Sequence, residues 1–242
     1  MKLPDPLYKG ILIRRYKRFL ADVLLETGET VTAHCPNSGS MKGCYETGQP
    51  VLLSRAANPK RKLPFTWELS RMGGHWIGIN TARPNLLVRE AIENKIVREL
   101  QGYDLIRPEV PYGENSRIDL LLEGSAGRCY VEVKNVTLTD GNCARFPDSV
   151  TVRGQKHLRE LQKMKAEGHR AVIFFVIQRP DADTFAPADA IDPEYGKLLR
   201  QAVAAGVEAL AYQARISPVE INITHQLPIL LNSPVRKENE KK

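Results

Sequence analysis

The chain has 242 residues, 42% of them hydrophobic and 26% charged, with a formal net charge of +7. That length suits one large domain or two small ones, and the composition is ordinary for a soluble globular protein. No apolar run approaches the length of a membrane span, and the first residues, Met1-Lys2-Leu3-Pro4, lack the apolar core of a signal peptide, so a cytoplasmic protein is expected. The excess charge is uneven. Residues 1–85 hold 13 Lys and Arg against 6 Asp and Glu, whereas the remainder holds 22 of each. A basic first third points to a polyanion, and to nucleic acid first.

Residues 1–82 read as β structure. Short β-prone runs recur at 11–13, 21–25, 30–33, 51–53, 66–69 and 76–79, separated by Gly, Pro and Asn turns. Five or six short strands without a helical period predict a small OB-like β-barrel. A change comes at 81–85. Leu87, Ala91, Ile92 and Ile96 then recur at helical spacing, predicting a helix over 86–100 with Asn85 as its N-cap. Strand-like runs follow at 105–110, 118–122 and 129–134. A second helix is predicted from Gly154 to about Glu167, with Gly168 as its stop. The run Ala171 to Ile177 has the pattern of a strand covered on both faces. A helix over 195–205 and a strand over 208–213 come next. From residue 83 to 234 this order predicts a mixed sheet flanked by helices, and 235–242 reads as a charged tail.

The chemically informative stretch runs from Ser116-Arg117-Ile118-Asp119 to Tyr130-Val131-Glu132-Val133-Lys134. Two strands joined by a short Gly-containing turn should form a hairpin. Glu132 and Lys134 then share one face of their strand, and pairing can bring Asp119 alongside Glu132. Carboxylates inside core-like strands are costly unless they are paired, protonated or bound to a metal. Two of them can hold Mg²⁺ or Mn²⁺, the metal can activate a water, and the lysine can meet charge developing on a phosphate.

Asp119…Glu132-Val133-Lys134 resembles the D…(D/E)-x-K core of PD-(D/E)XK nucleases, although Ile118 stands where their Pro is usual. That resemblance implies a further metal-binding acid on the first helix, with Glu93 as candidate and Glu90 as alternative. It also implies a catalytic-site role for Gln155 on the second helix. The chain as a whole resembles the sugar fermentation stimulation protein A family. The matching stretches include 15–23, His34-Cys35-Pro36-Asn37-Ser38-Gly39-Ser40-Met41, 116–119, 130–138 and 146–158. This implies an OB-like domain, a PD-(D/E)XK nuclease-like domain, DNA binding and a regulatory role in the use of maltose and other sugars.

Other signals keep two readings. Arg14, Arg15, Lys17 and Arg18, with Tyr16 and Phe19, suit phosphate contacts and base stacking first, with a solvated strand edge as the alternative. Lys60, Arg61 and Lys62 suit phosphate attraction in a Pro-flanked loop. The Asn37–Met41 stretch reads as a phosphate cradle or as a tight turn. Trp67 and Trp76 are expected in the core, and His157 and His169 in structural roles. Arg153, Gln155 and Lys156 open a helix whose N-terminus attracts anions. Cys35, Cys44, Cys129 and Cys143 form no Cys-x-x-Cys pair and are expected as reduced thiols, without structural zinc. Function thus divides between a Mg²⁺- or Mn²⁺-dependent DNA endonuclease or exonuclease and a noncatalytic DNA-binding regulator on a nuclease fold.

Overall fold

The computed structural model describes residues 1–232. The tail expected at 235–242, and the end of the 83–234 domain, lie outside the described residues. Six strands come first: β1 (Leu7–Tyr16), β2 (Leu20–Leu25), β3 (Thr30–His34), β4 (Pro50–Arg55), β5 (Phe65–Met72) and β6 (His75–Gly78). They hydrogen-bond in the order β3-β2-β1-β4-β5-β6, and a parallel β3–β5 pairing closes the first five into a barrel. Alternation along the strands sends Leu12, Val23, Val31, Leu53 and Trp67 into a shared interior. Trp67 is fully buried, as its sequence context predicts, whereas Trp76 is half-buried with the Arg71 guanidinium over its ring. At Gly10 a Cβ would stand 2.6 Å from the Leu24 carbonyl oxygen, so β1 and β2 can approach there only without a side chain.

The second part begins with α1 (Pro84–Glu93), a single 3₁₀ turn (Arg98–Leu100), then β7 (Leu105–Tyr112), β8 (Ser116–Gly124) and β9 (Gly127–Val136). Two short strands, β10 (Leu138–Asp140) and β11 (Cys143–Phe146), lead to α2 (Val152–Ala166), β12 (Arg170–Ile177), β13 (Thr184–Pro187), α3 (Pro193–Ala204), β14 (Glu208–Ile216) and β15 (Ile221–Gln226). The main sheet has the order β15-β14-β12-β9-β8-β7, with β9, β12 and β14 mutually parallel. Along β12, Val172, Phe174 and Val176 enter one core with α1. Ile173, Phe175 and Ile177 enter another with α2 and α3. The apolar run is thus covered on both faces. Among the described residues no helix is long and apolar enough to cross a membrane.

The first helix differs from its prediction. It starts two residues earlier, with Pro84 at its N-terminus, so Asn85 lies inside the first turn and caps nothing. It stops at Glu93, because Lys95 takes a left-handed backbone (φ 59°) and Ile96, the last residue of the helical pattern, is left exposed. The short strands β10, β11 and β13 and the edge strand β15 were not predicted; three of them have only three or four residues, too few to display a period.

The core on the α1 side crosses the expected 82/83 division. Leu3, Leu52 and Leu69 pack in the same cluster as Leu87, Val88 and Ile92. Lys2 forms a β-bridge with Glu220, and the Gly78 amide donates to the Gln178 carbonyl at 3.0 Å. We therefore expect Leu69→Ala to lower stability by about 2–5 kcal/mol and to shift one cooperative transition of the whole chain. Scanning calorimetry tests this; two separate transitions, only one of them displaced, would show that the shared cluster does not couple the parts.

Candidate functional site

The strands β8 and β9 pair regularly from the hairpin turn as far as Leu120 and Val131, where the ladder ends. Beyond that point β8 turns over. Ile118 and Leu120, which alternation places on one face, lie in opposite cores. The turn frees Asp119 from the ladder and lets its Oδ2 accept the Val133 N–H at 2.7 Å, in place of a backbone carbonyl. Its Oδ1 accepts from the Asn85 amide at 2.8 Å. The helix residue expected to cap α1 is thus a ligand of the carboxylate.

Glu132 is 2% exposed beneath α2. Its Oε1 accepts from Lys134 Nζ at 2.6 Å and is in close contact with His157 Nδ1. Its Oε2 is buried without any hydrogen-bond partner. Burial pushes the Glu132 carboxyl up, but Lys134 and His157 outweigh it and hold the group below the usual carboxylate range. Asp119 has no cation in contact. Burial, and then the charge on Glu132, push its pKa up to about 6. Asp119, Glu132, Lys134, His157 and Asn85 all line one cleft of about 740 Å³.

The other wall of that cleft comes from the barrel. Asn37, Ser38 and Gly39 line it, next to Phe146, Pro147 and Asp148. Asp148 clasps the two walls together: its Oδ2 accepts the Met41 N–H at 2.9 Å and its carbonyl accepts Ser40 Oγ at 2.7 Å. The Gly39 N–H is taken by Asn37 Oδ1, and the Lys42 N–H by Ser40 Oγ. The Gly39 and Met41 amides of this stretch are therefore engaged within the protein.

Several expected residues lie elsewhere. Glu93 is exposed and paired with Arg89 at 2.8 Å, and Glu90 pairs with the N-terminal ammonium at 2.6 Å. Neither lines the cleft. Gln155 turns to Asp192, donating to its two oxygens at 3.0 and 3.1 Å, and that aspartate caps α3. The residue of α2 that reaches the carboxylates is His157, two positions on, for which only a structural role was expected. The arginines of β1 also divide. Arg15 donates to the carbonyls of Arg18, Asn37 and Gly39 and so braces the cleft loop, and Arg14 pairs with Asp22 at 2.8 Å. Lys17 and Arg18 project from the β1–β2 turn on left-handed backbones (φ 48° and 64°) beside exposed Phe19. Lys60 and Lys62 are exposed, while Arg61 also donates to Thr66.

The donor set suits a hard divalent cation: carboxylate oxygens, one of them buried and unpartnered. As the side chains stand, no three His, Cys, Asp or Glu residues among those described gather closely enough to hold an ion. All four cysteines are free and buried, in keeping with reduced thiols.

Residues 13–79 match the SfsA N-terminal OB domain, and residues 82–220 match the sugar fermentation stimulation protein RE domain. The chain belongs to the sugar fermentation stimulation protein family. A sugar fermentation stimulation protein homolog of Pelobacter propionicus is 67% identical over 231 residues, 96% of this chain and 100% of that one. The homolog of Geobacter sulfurreducens is 66% identical over 230 residues, covering 95% and 99%. The solved structure of Pyrococcus furiosus SfsA in complex with Ca²⁺ superposes with a TM-score of 0.87 at 31% identity, over 95% of this chain and 99% of that one. The barrel and the mixed sheet are thus a shared family architecture.

The raised pKa of Asp119 has a measurable consequence in the metal-free protein. The native state holds this proton more tightly than the unfolded chain does. The associated stability is complete below 3.8 and is lost as pH rises through about 6. Asp119→Asn stays neutral throughout. With a chelator present, its Tm relative to the wild type should rise between about pH 4.5 and pH 7.5 by an amount corresponding to on the order of 2 kcal/mol, or several degrees. A Tm difference independent of pH would show that Asp119 titrates as an ordinary aspartate.

Proposed function

We propose that this protein is a divalent-cation-dependent phosphodiesterase acting on DNA, with Asp119, Glu132 and Lys134 as its catalytic groups. The observation that carries the reading is the buried, unpartnered Oε2 of Glu132, a residue that lines one cleft with Asp119 and Lys134. A lone carboxylate oxygen in that position carries a desolvation penalty that a cation removes. The Ca²⁺ in the Pyrococcus furiosus relative supports a cation here, and hard oxygen donors suit Mg²⁺ or Mn²⁺ equally.

Asp119 and Glu132 would hold the ion. The bound ion would supply a Lewis acid and a water acidified enough to attack phosphorus. Lys134 Nζ, now on Glu132, would be released toward the phosphate and meet the charge that develops on its oxygens. His157 keeps Glu132 Oε1 in place and is itself held from the solvent side by Arg153 Nε at 3.4 Å. Backbone phosphates further along the DNA would meet Lys17, Arg18, Lys60 and Lys62 on the basic barrel, with Phe19 available for stacking. Arg14 and Arg61 would add to that field, whereas Arg15 serves mainly the cleft loop. The family name ties the relatives to sugar fermentation; DNA binding without cleavage would favour the regulator reading.

Plasmid and oligonucleotide cleavage with Mg²⁺ and with Mn²⁺ tests the proposal. The wild type should cleave, Asp119→Asn should not, and Lys134→Ala should be slower by about 10²–10³-fold. Replacing Lys17, Arg18, Lys60 and Lys62 with Ala should weaken DNA binding and flatten its salt dependence by about 0.9 in slope for each phosphate that is no longer neutralised. Tight DNA binding by a wild type that cleaves nothing with either metal would leave the regulator in place of the nuclease.

A further inference from the structure

Three carboxylates stand in one row across the first three strands of the main sheet. The β7–β8 ladder is in register on both sides of Glu109 and Asp119, yet skips that pair. The β8–β9 ladder stops one step short of Asp119 and Glu132. Extending the two registers places Glu109 opposite Asp119 and Asp119 opposite Glu132. At Glu109 the backbone is left-handed (φ 54°) in the middle of a strand, a conformation that a long side chain rarely adopts. The Asn85 amide links the row, at 2.8 Å from Asp119 Oδ1 and 3.5 Å from Glu109 Oε1. Those two oxygens can be no further apart than the two contacts laid end to end. At the far end of the row is the buried, unpartnered Oε2 of Glu132.

We infer that Glu109, on the edge strand, is the third acidic group of the cation site, in the role expected for a carboxylate on α1. The inference rests on the metal site proposed above. The helix presents Asn85 to the site, and an amide cannot contribute negative charge. Its two N–H groups can instead hold two carboxylates side by side while no cation is present. Glu109 lines both the main cleft and an adjoining one that contains Arg117, Arg153 and Lys156. It is exposed, makes no ion pair among the described residues, and holds Asn85 only at the limit of hydrogen-bonding distance. Its carboxylate is therefore free to turn. Oxygen ligands sit about 2.0–2.6 Å from Mg²⁺, Mn²⁺ or Ca²⁺, so rotation of an exposed side chain, with no backbone movement, brings Glu109 to an ion held by Asp119 and Glu132. This explains why the side chains as they stand enclose no ion: the third group is parked on the amide.

The test is a calorimetric titration of Mn²⁺ into the intact protein, with wild type compared with Glu109→Gln, Glu93→Gln and Asp119→Asn. Glu109→Gln should bind Mn²⁺ roughly tenfold more weakly or worse, and Glu93→Gln should match the wild type. If Glu109→Gln lowers Tm, Glu109→Gly separates folding from binding. Glycine accepts the left-handed backbone, so its Tm should hold while Mn²⁺ affinity still falls. Wild-type affinity in both Glu109 variants, with binding lost in Asp119→Asn, would overturn the role of Glu109 and leave the two-carboxylate site standing. A loss in Glu93→Gln would return the role to α1. A wild type that binds no Mn²⁺, or binds it no better than Asp119→Asn, would remove the metal site and the inference together.

Discussion

A carboxylate inside a protein must be neutralised, paired or relieved by an ion, and Glu132 places that demand at the centre of this molecule. It sits on β9, between the antiparallel strands β7 and β8 and the parallel strands β12 and β14. Val131 and Val133 on either side of it pack into one core, which forces Glu132 and Lys134 to the opposite face, under α2. The burial that makes Glu132 costly therefore follows from the alternation that makes β9 a good central strand. Lys134, two residues on, is the partner that this period supplies at no topological expense, and His157 is supplied by the phase of α2. Only one of the two carboxylate oxygens is satisfied by them. The other stays buried and unpartnered on a residue that lines the cleft.

The barrel completes the site mechanically. Its loop at Asn37–Gly39 lines the cleft, and Arg15 holds that loop through the Asn37 and Gly39 carbonyls. The clasp of Asp148 on Met41 and Ser40, the Gly78–Gln178 backbone bond and the Leu3, Leu52 and Leu69 seam fix the wall relative to the sheet. A basic surface and an acidic site are thereby joined through direct contacts. On the proposed function, the positive potential would draw a polyanion that the carboxylates alone would repel.

Much of this was legible before the structure. The hairpin carrying Asp119, Glu132 and Lys134 was readable because strand period is two and the turn between the strands is short, so register has little freedom. The barrel strands were readable from turn residues, and β12 from its unbroken apolar run. Helix phase was harder. Glu93 and Gln155 were placed by resemblance, and a shift of a few residues in where a helix begins rotates every side chain on it. Asn85 and His157 face the site instead. Pro84 offered the signal that α1 begins early enough to turn Asn85 inward. Composition treats Arg14, Arg15, Lys17 and Arg18 as one basic run, but strand alternation gives Arg14 and Arg15 different partners and the β1–β2 turn carries Lys17 and Arg18, and no count of charges reveals that.

The break in the ladder at Asp119 ties these strands of argument together. A regular β8 would have kept Ile118 and Leu120 on one face and buried Asp119 in the α2 core, away from α1. Turning the strand over there costs backbone hydrogen bonds on both sides, to β7 at Glu109 and to β9 at Glu132. Part of that loss is made good locally, since Asp119 Oδ2 takes the Val133 N–H that the ladder gives up. The rest has no structural return: Glu109 remains on a left-handed backbone and Glu132 Oε2 remains unpartnered. Irregularities that fold stability does not repay are the ones expected where a fold is shaped by a ligand. Here these two fall, with Asp119 between them, on a single line across three strands, in a cleft that both parts of the chain build.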